Sequence, residues 1–197
     1  ELWLADPQTR ADRVGVAVRT DESLAVLPLV QQTLSRKRQD LLGVLWQRSS
    51  LAGRLWGRRP RFVPILTGPF TRWLPRQLRE YAEALDALIA TPDTPTWTVT
   101  AAIATLGRLP GVGADAVAVY ADSPNLAWRE AALAALAWTD RPAAALARLV
   151  TIRTTDETRV AMYAAGRCVS ELAPSVARPL IADILSDPAA KLTARKE

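Results

Sequence analysis

The residues best suited to chemistry are arginines set among aromatics between Trp46 and Arg79, namely Arg48, Arg54, Trp56, Arg58, Arg59, Arg61, Phe62, Phe70, Arg72, Trp73, Arg76 and Arg79. Guanidinium forks take carboxylate or phosphate oxygens two at a time, and aromatic faces stack on bases. Arg54, Trp56, Arg58, Arg59, Arg61, Phe62, Arg72, Trp73, Arg76 and Arg79 are therefore the candidate contact residues. Their partner would be a protein with an acidic surface or, alternatively, nucleic acid. The same residue types have another use, in which Trp and Phe anchor a core and Arg stems lie across them. Sequence alone leaves both uses open. The charge is clustered: from Ser35 to Arg79 there are 11 basic residues and one acid, Asp40, a local net of +10. The other residues carry 14 basic and 19 acidic side chains, a net of −5. A preference for 22 Arg over 3 Lys, beside 35 Ala, could follow from genome base composition, but such a bias does not cluster charge.

What is missing narrows the chemistry further. The chain has no His, which removes Ser-His-Asp and Cys-His catalysis and His-ligated metal sites. One cysteine, Cys168, excludes an intrachain disulfide framework and a multi-Cys zinc cluster, and its small apolar neighbours place it in packing. GVG (Gly111–Gly113) lacks the context of a dinucleotide loop and reads as a turn, and no phosphate loop is present. Glu80, Glu83 and Asp86 fall at helical spacing with Ala between them, which reads as a solvated face. The expectation is a non-enzymatic protein with no cofactor or metal. No apolar run is long enough to span a membrane and no targeting signal is visible, so the expected setting is cytoplasmic.

These residues must be carried by helices. With 49% hydrophobic residues and 197 positions, the chain can bury a real core. Asp21–Leu34 has an apolar stripe at Leu24, Leu27, Val30 and Leu34, with Asp21 as its cap; Pro28 should kink this helix or move its start later. A second helix is expected over about Gln39–Trp56. Residues 57–75 hold four Pro and two Gly, so they form an ordered irregular excursion pinned by the apolar run Val63–Leu66. Helix resumes at about Arg76–Ala90, with Leu78, Tyr81, Leu85 and Leu88 on its buried side.

From there the sequence keeps time. AAIATLGRL, AALAALAWT and AMYAAGRCV begin at Ala101, Ala131 and Ala161, 30 residues apart. Helices are expected at about 96–109, 113–121, 125–138, 142–152, 157–172 and 175–185, with Asp or Ser before Pro capping several starts. Pro179 requires the last of these to start late or to kink. The helix at 125–138 is apolar on two sides, with Leu126, Leu133 and Leu136 on one and Trp128, Ala132, Ala135 and Trp138 on the other, as an interior helix would be. A long helix alternating with a shorter one at this period describes antiparallel pairs that must stack to bury their apolar faces. KLTARKE (Lys191–Glu197) opens another helix, so repeats are expected to continue beyond it.

The phrases SPNLAWREAALAAL, TTDETRVAMYAAG and SDPAAKLTARKE resemble the turn and second-helix start of HEAT-type repeats, through Asp122 with Arg129, Asp156 with Arg159 and Asp187 with Arg195. The likeness covers roughly Thr96–Glu197, with a period shorter than the usual ~40 residues. It implies an all-α fold, a right-handed α-solenoid of stacked antiparallel helix pairs. The whole chain, 1–197, would then be one solenoid, with N-terminal helices to 56, the basic excursion at 57–75 and regular repeats from 76. The expected function is a non-enzymatic binding scaffold that mediates protein–protein interaction through the basic, aromatic-rich stretch. HEAT-like folds include alkylpurine DNA glycosylases, which hold duplex DNA in a groove, so nucleic acid is the alternative ligand. Arg129 and Arg159 are expected to make ion pairs or turn bonds within their repeats.

Overall fold

The computed structural model describes Val16 and residues 27–38, 50–51, 59–60, 63–66, 68, 70–71 and 73–196. The chain divides into two compact units, Glu1–Thr94 and Pro95–Glu197. The division falls inside TPDTP, where two prolines and the positive-φ residue Asp93 keep the backbone from continuing as helix.

In the first unit, α1 spans Pro28–Arg36. Pro28 occupies its first turn, where its fixed φ suits a helix start and its missing N–H costs nothing. The proline thus moves the start later, and Asp21 lies outside the described residues. Ser50–Leu51 (β1) and Arg59–Pro60 (β2) form a short antiparallel pair, Ser50 opposite Pro60. Ser50–Leu51 is thus extended where a helix over about Gln39–Trp56 was expected, and the rest of that range lies outside the described residues.

Helix α2, Pro75–Ile89, buries Leu78, Tyr81, Leu85 and Leu88, as the stripe requires. Its Tyr81 hydroxyl donates to the Pro64 carbonyl at 2.7 Å and accepts from the Leu66 N–H at 2.9 Å. A segment too rich in proline to form its own ladder is thereby fastened to a helix, with Val63 and Leu66 buried beneath it. Burial also pushes the Tyr81 hydroxyl's pKa well above its ordinary value, so it stays a donor.

The second unit is helical throughout: α3 Thr96–Leu106, α4 Gly113–Ala121, α5 Leu126–Leu136, α6 Pro142–Leu149, α7 Thr158–Ser170, α8 Pro174–Ser186 and α9 Leu192–Lys196. Helices α3, α5, α7 and α9 touch in succession, and α6 touches α8. Small residues permit the close approach. A Cβ on Gly107 would lie 2.6 Å from the Ala135 carbonyl oxygen, so only glycine lets the end of α3 meet α5 this closely. Pro179 sits inside α8, which nevertheless starts at Pro174, earlier than expected. The bond it forgoes would have gone to the exposed Ser175, whose carbonyl water can reach.

Capping differs from the expectation of Asp or Ser before Pro. The α5 cap is Asn125, one residue past Pro124, accepting from Ala127 N–H at 3.0 Å. The aspartates bridge neighbouring helix pairs instead. Asp115 pairs with Arg141, Asp122 with Arg148, Asp183 and Asp187 with Arg153, and Asp156 with Lys191. Asp140 accepts from the N–H of Gly111, whose φ of 75° marks the expected turn. Arg129 does bond its own turn, at the Ser123 and Pro124 carbonyls, but its charge goes forward to Glu157 at 2.7 Å. Arg129 holds the Glu157 carboxyl down to about 2, helped by the backbone N–H of Glu157 and the Thr155 hydroxyl. The Asp–Arg matches of the sequence are therefore not ion pairs: Asp122, Arg129, Asp156 and Asp187 each reach another partner, Arg195 reaches the Asp187 backbone carbonyl, and Arg159 makes neither the ion pair nor the turn bond expected of it among the described residues.

No helix among the described residues is long and apolar enough to cross a membrane.

Candidate functional site

Of the arginine and aromatic residues singled out by sequence, Arg54, Trp56, Arg58, Arg61, Phe62 and Arg72 lie outside the described residues, and Arg59 is described only as backbone in β2. The others separate by type. Trp73 is 5% exposed and meets Phe70 edge-on at 4.9 Å and Tyr81 at 5.4 Å. Its ring is buried, packed on Phe70 and on Tyr81 of α2, as a core anchor would be. Arg76 is exposed and pairs with Glu80 one turn on, and Arg79 is exposed. This part of the basic stretch offers solvent two guanidiniums, one already paired, and no aromatic face.

A different grouping appears in the second unit. Arg108 follows α3, Trp138 follows α5, and Arg167 lies in the last turn of α7. Stacking brings these three together, since α5 contacts both α3 and α7. The Arg108 guanidinium lies over the Trp138 ring at 4.8 Å from its centroid, and the Arg167 guanidinium at 3.7 Å. Such contacts are each worth about 0.5–1 kcal/mol at exposed sites. Trp138 is 48% exposed and Leu126 is exposed too, so the expectation that this helix is interior on two sides fails at both ends, although Ala132, Leu133, Ala135 and Leu136 are buried.

Beside the ring runs an open groove of about 310 Å³, lined by Ala134, Ala137, Trp138, Val160, Tyr163, Ala164 and Arg167. Tyr163 is exposed, and Arg159 stands one helical turn before it on α7. No carboxylate among the described residues pairs with Arg108, Arg159 or Arg167. Next to Arg167, Cys168 is fully buried; burial raises its thiol pKa, against the pull of the Arg167 charge. It is a packing residue and a poor nucleophile.

Among the described residues no group of three or more acids and cysteines could hold a metal ion. What the arrangement can do is bind. It combines an apolar floor, two exposed rings and guanidiniums whose N–H groups await acceptors.

Comparison with protein-family models, with curated proteins and with solved structures gave no match.

The sequence did hold a signal for it. Arg108 and Trp138 are 30 residues apart, and Arg167 follows 29 later, the period of the repeat itself. A residue kept in phase with the repeat returns to the same place on each stacked helix, so exposed Arg and Trp in phase make one surface.

Proposed function

We propose that this chain is a non-enzymatic binding scaffold that engages a protein partner through the face carrying Arg108, Trp138, Tyr163 and Arg167. In this reading the second unit is a right-handed α-solenoid of HEAT-like helix pairs. The succession α3–α5–α7–α9, with α6 against α8, supports that arrangement. The observation that carries the function is the half-exposed Trp138 ring held under two guanidiniums that have no carboxylate partner. Trp, Tyr and Arg are the residues that dominate the energetics of protein interfaces, and here they meet at one groove. A sequence with no imidazole supports the non-enzymatic part of the reading.

Immobilised full-length protein, wild type or Trp138→Ala, tests it against a lysate of the source cells. The wild type is expected to retain a defined set of proteins that cross-link to α5 and α7, and the variant to lose them. Identical retention by both sinks the use of this face. A gel shift with duplex DNA across salt concentrations tests the alternative, because phosphate binding falls steeply with log[salt].

A further inference from the structure

We infer that the groove beside Trp138 takes an acidic peptide segment, a bulky apolar side chain seated between Trp138 and Tyr163 and flanking carboxylates held by Arg108 and Arg167. This rests on the scaffold reading and names the ligand class of the same face.

Each guanidinium carbon lies over the indole, at 4.8 Å for Arg108 and 3.7 Å for Arg167, and its N–H edges have no protein acceptor among the described residues. Those N–H edges match a carboxylate two bonds at a time. The ring also fixes both long side chains before any ligand arrives, so less side-chain entropy is lost on binding. No carboxylate among the described residues pairs with either guanidinium, and most aspartates of the turns are held by Arg141, Arg148, Arg153 and Lys191. The floor is small and apolar, with Ala134, Ala137, Val160 and Ala164 leaving room beneath two exposed rings. A ligand that was only charged would leave this floor wet; one that was only apolar would leave the guanidiniums without acceptors.

The same observations disfavour a nucleic-acid backbone. Its charge repeats along a line and calls for a row of cations. The second unit holds eleven Arg or Lys against ten Asp or Glu, most of the acids already bridged, and Glu130 stands on α5 one turn before Ala134. Two cations without a carboxylate partner among the described residues, Arg108 and Arg167, meet at one ring instead.

Selection from a randomised peptide display library against the full chain, with Arg108→Gln/Arg167→Gln as the paired bait, tests this. Both arginines are exposed, so the double variant should keep its helical signal and cooperative melt, which circular dichroism verifies. The expected result is enrichment of Asp or Glu around one Leu, Phe or Trp, absent with the variant. Fluorescence anisotropy of an enriched peptide should then show affinity falling about tenfold or more in three cases: in the variant, with Gln for its acids, or with Ala for its bulky residue. Enrichment of neutral or basic peptides, no enrichment, or equal affinity for the variant overturns the ligand class. So does tighter binding of duplex DNA that the variant loses. A library result without acids, together with Trp138-dependent retention of cellular proteins, would remove the ligand class and leave the scaffold reading standing.

Discussion

Around Tyr81 the rings are inside and the guanidiniums outside; around Trp138 the ring is in solvent and the guanidiniums lie on it. Both regions draw on Arg and aromatic residues, yet they use them in opposite senses. In the first, Phe70, Trp73 and Tyr81 are close in sequence and pack on one another, leaving Arg76 and Arg79 to point away. In the second, residues about 30 apart meet because helices stack. Local clustering of aromatics made a core, whereas periodic recurrence made a surface. The lesson is that spacing relative to the repeat, more than local density, decided which aromatic residue stayed available.

The sharpest way to break this comparison is to truncate both tryptophans. Trp73→Ala should cost about 3–5 kcal/mol by emptying a packed site. Trp138→Ala should cost only about 1 kcal/mol, the worth of its exposed cation–π contacts. Urea denaturation of each variant measures the gap, and equal losses would erase the distinction. Next comes Gly107→Ala. Its added methyl would press on the Ala135 carbonyl, so a loss of roughly 1–3 kcal/mol is expected. Because Gly107 precedes Arg108, the same variant should alter the fluorescence of Trp138, read against a Trp138→Phe control.

Tyr81→Phe tests the buried region more gently. It leaves the Pro64 carbonyl and the Leu66 N–H without their partner, for about 1–3 kcal/mol, and proteolysis near residue 65 should accelerate. The smallest effect is pH-dependent. Glu157 has a folded pKa of about 2 against an ordinary 4.5, so the stability it contributes is complete above 4.5 and disappears as pH falls toward 2. Melting in that window should fall less steeply for Arg129→Gln, which removes the cause of the shift.

Much of the helical frame was legible in the sequence, because breakers such as LPGVG and TDRP separate segments with clear apolar stripes. The boundaries of α4 were read to the residue, and Cys168 was rightly placed in packing. The partners of the charged residues were not legible. Asp122 and Arg129 stand seven apart and suggest each other, but a stacked neighbour offers Arg148 and Glu157 at shorter reach. The Arg–Trp–Arg group was missed for the same reason: its members are separated by whole helices, and only the packing of α3, α5 and α7 makes them adjacent. For Trp73 the sequence left core anchor and contact residue both open, and its burial against Phe70 and Tyr81 has no periodic signature.

Cys168 carries a consequence for measurement. It is the one thiol in the chain, it is fully enclosed by the packing around α7, and it follows Arg167 directly. A thiol reagent can reach it only when that packing opens, so its labelling rate acts as a clock for breathing of the helix that forms one wall of the groove. Anything that settles onto the groove and steadies α7 should slow the clock, with no engineered probe required.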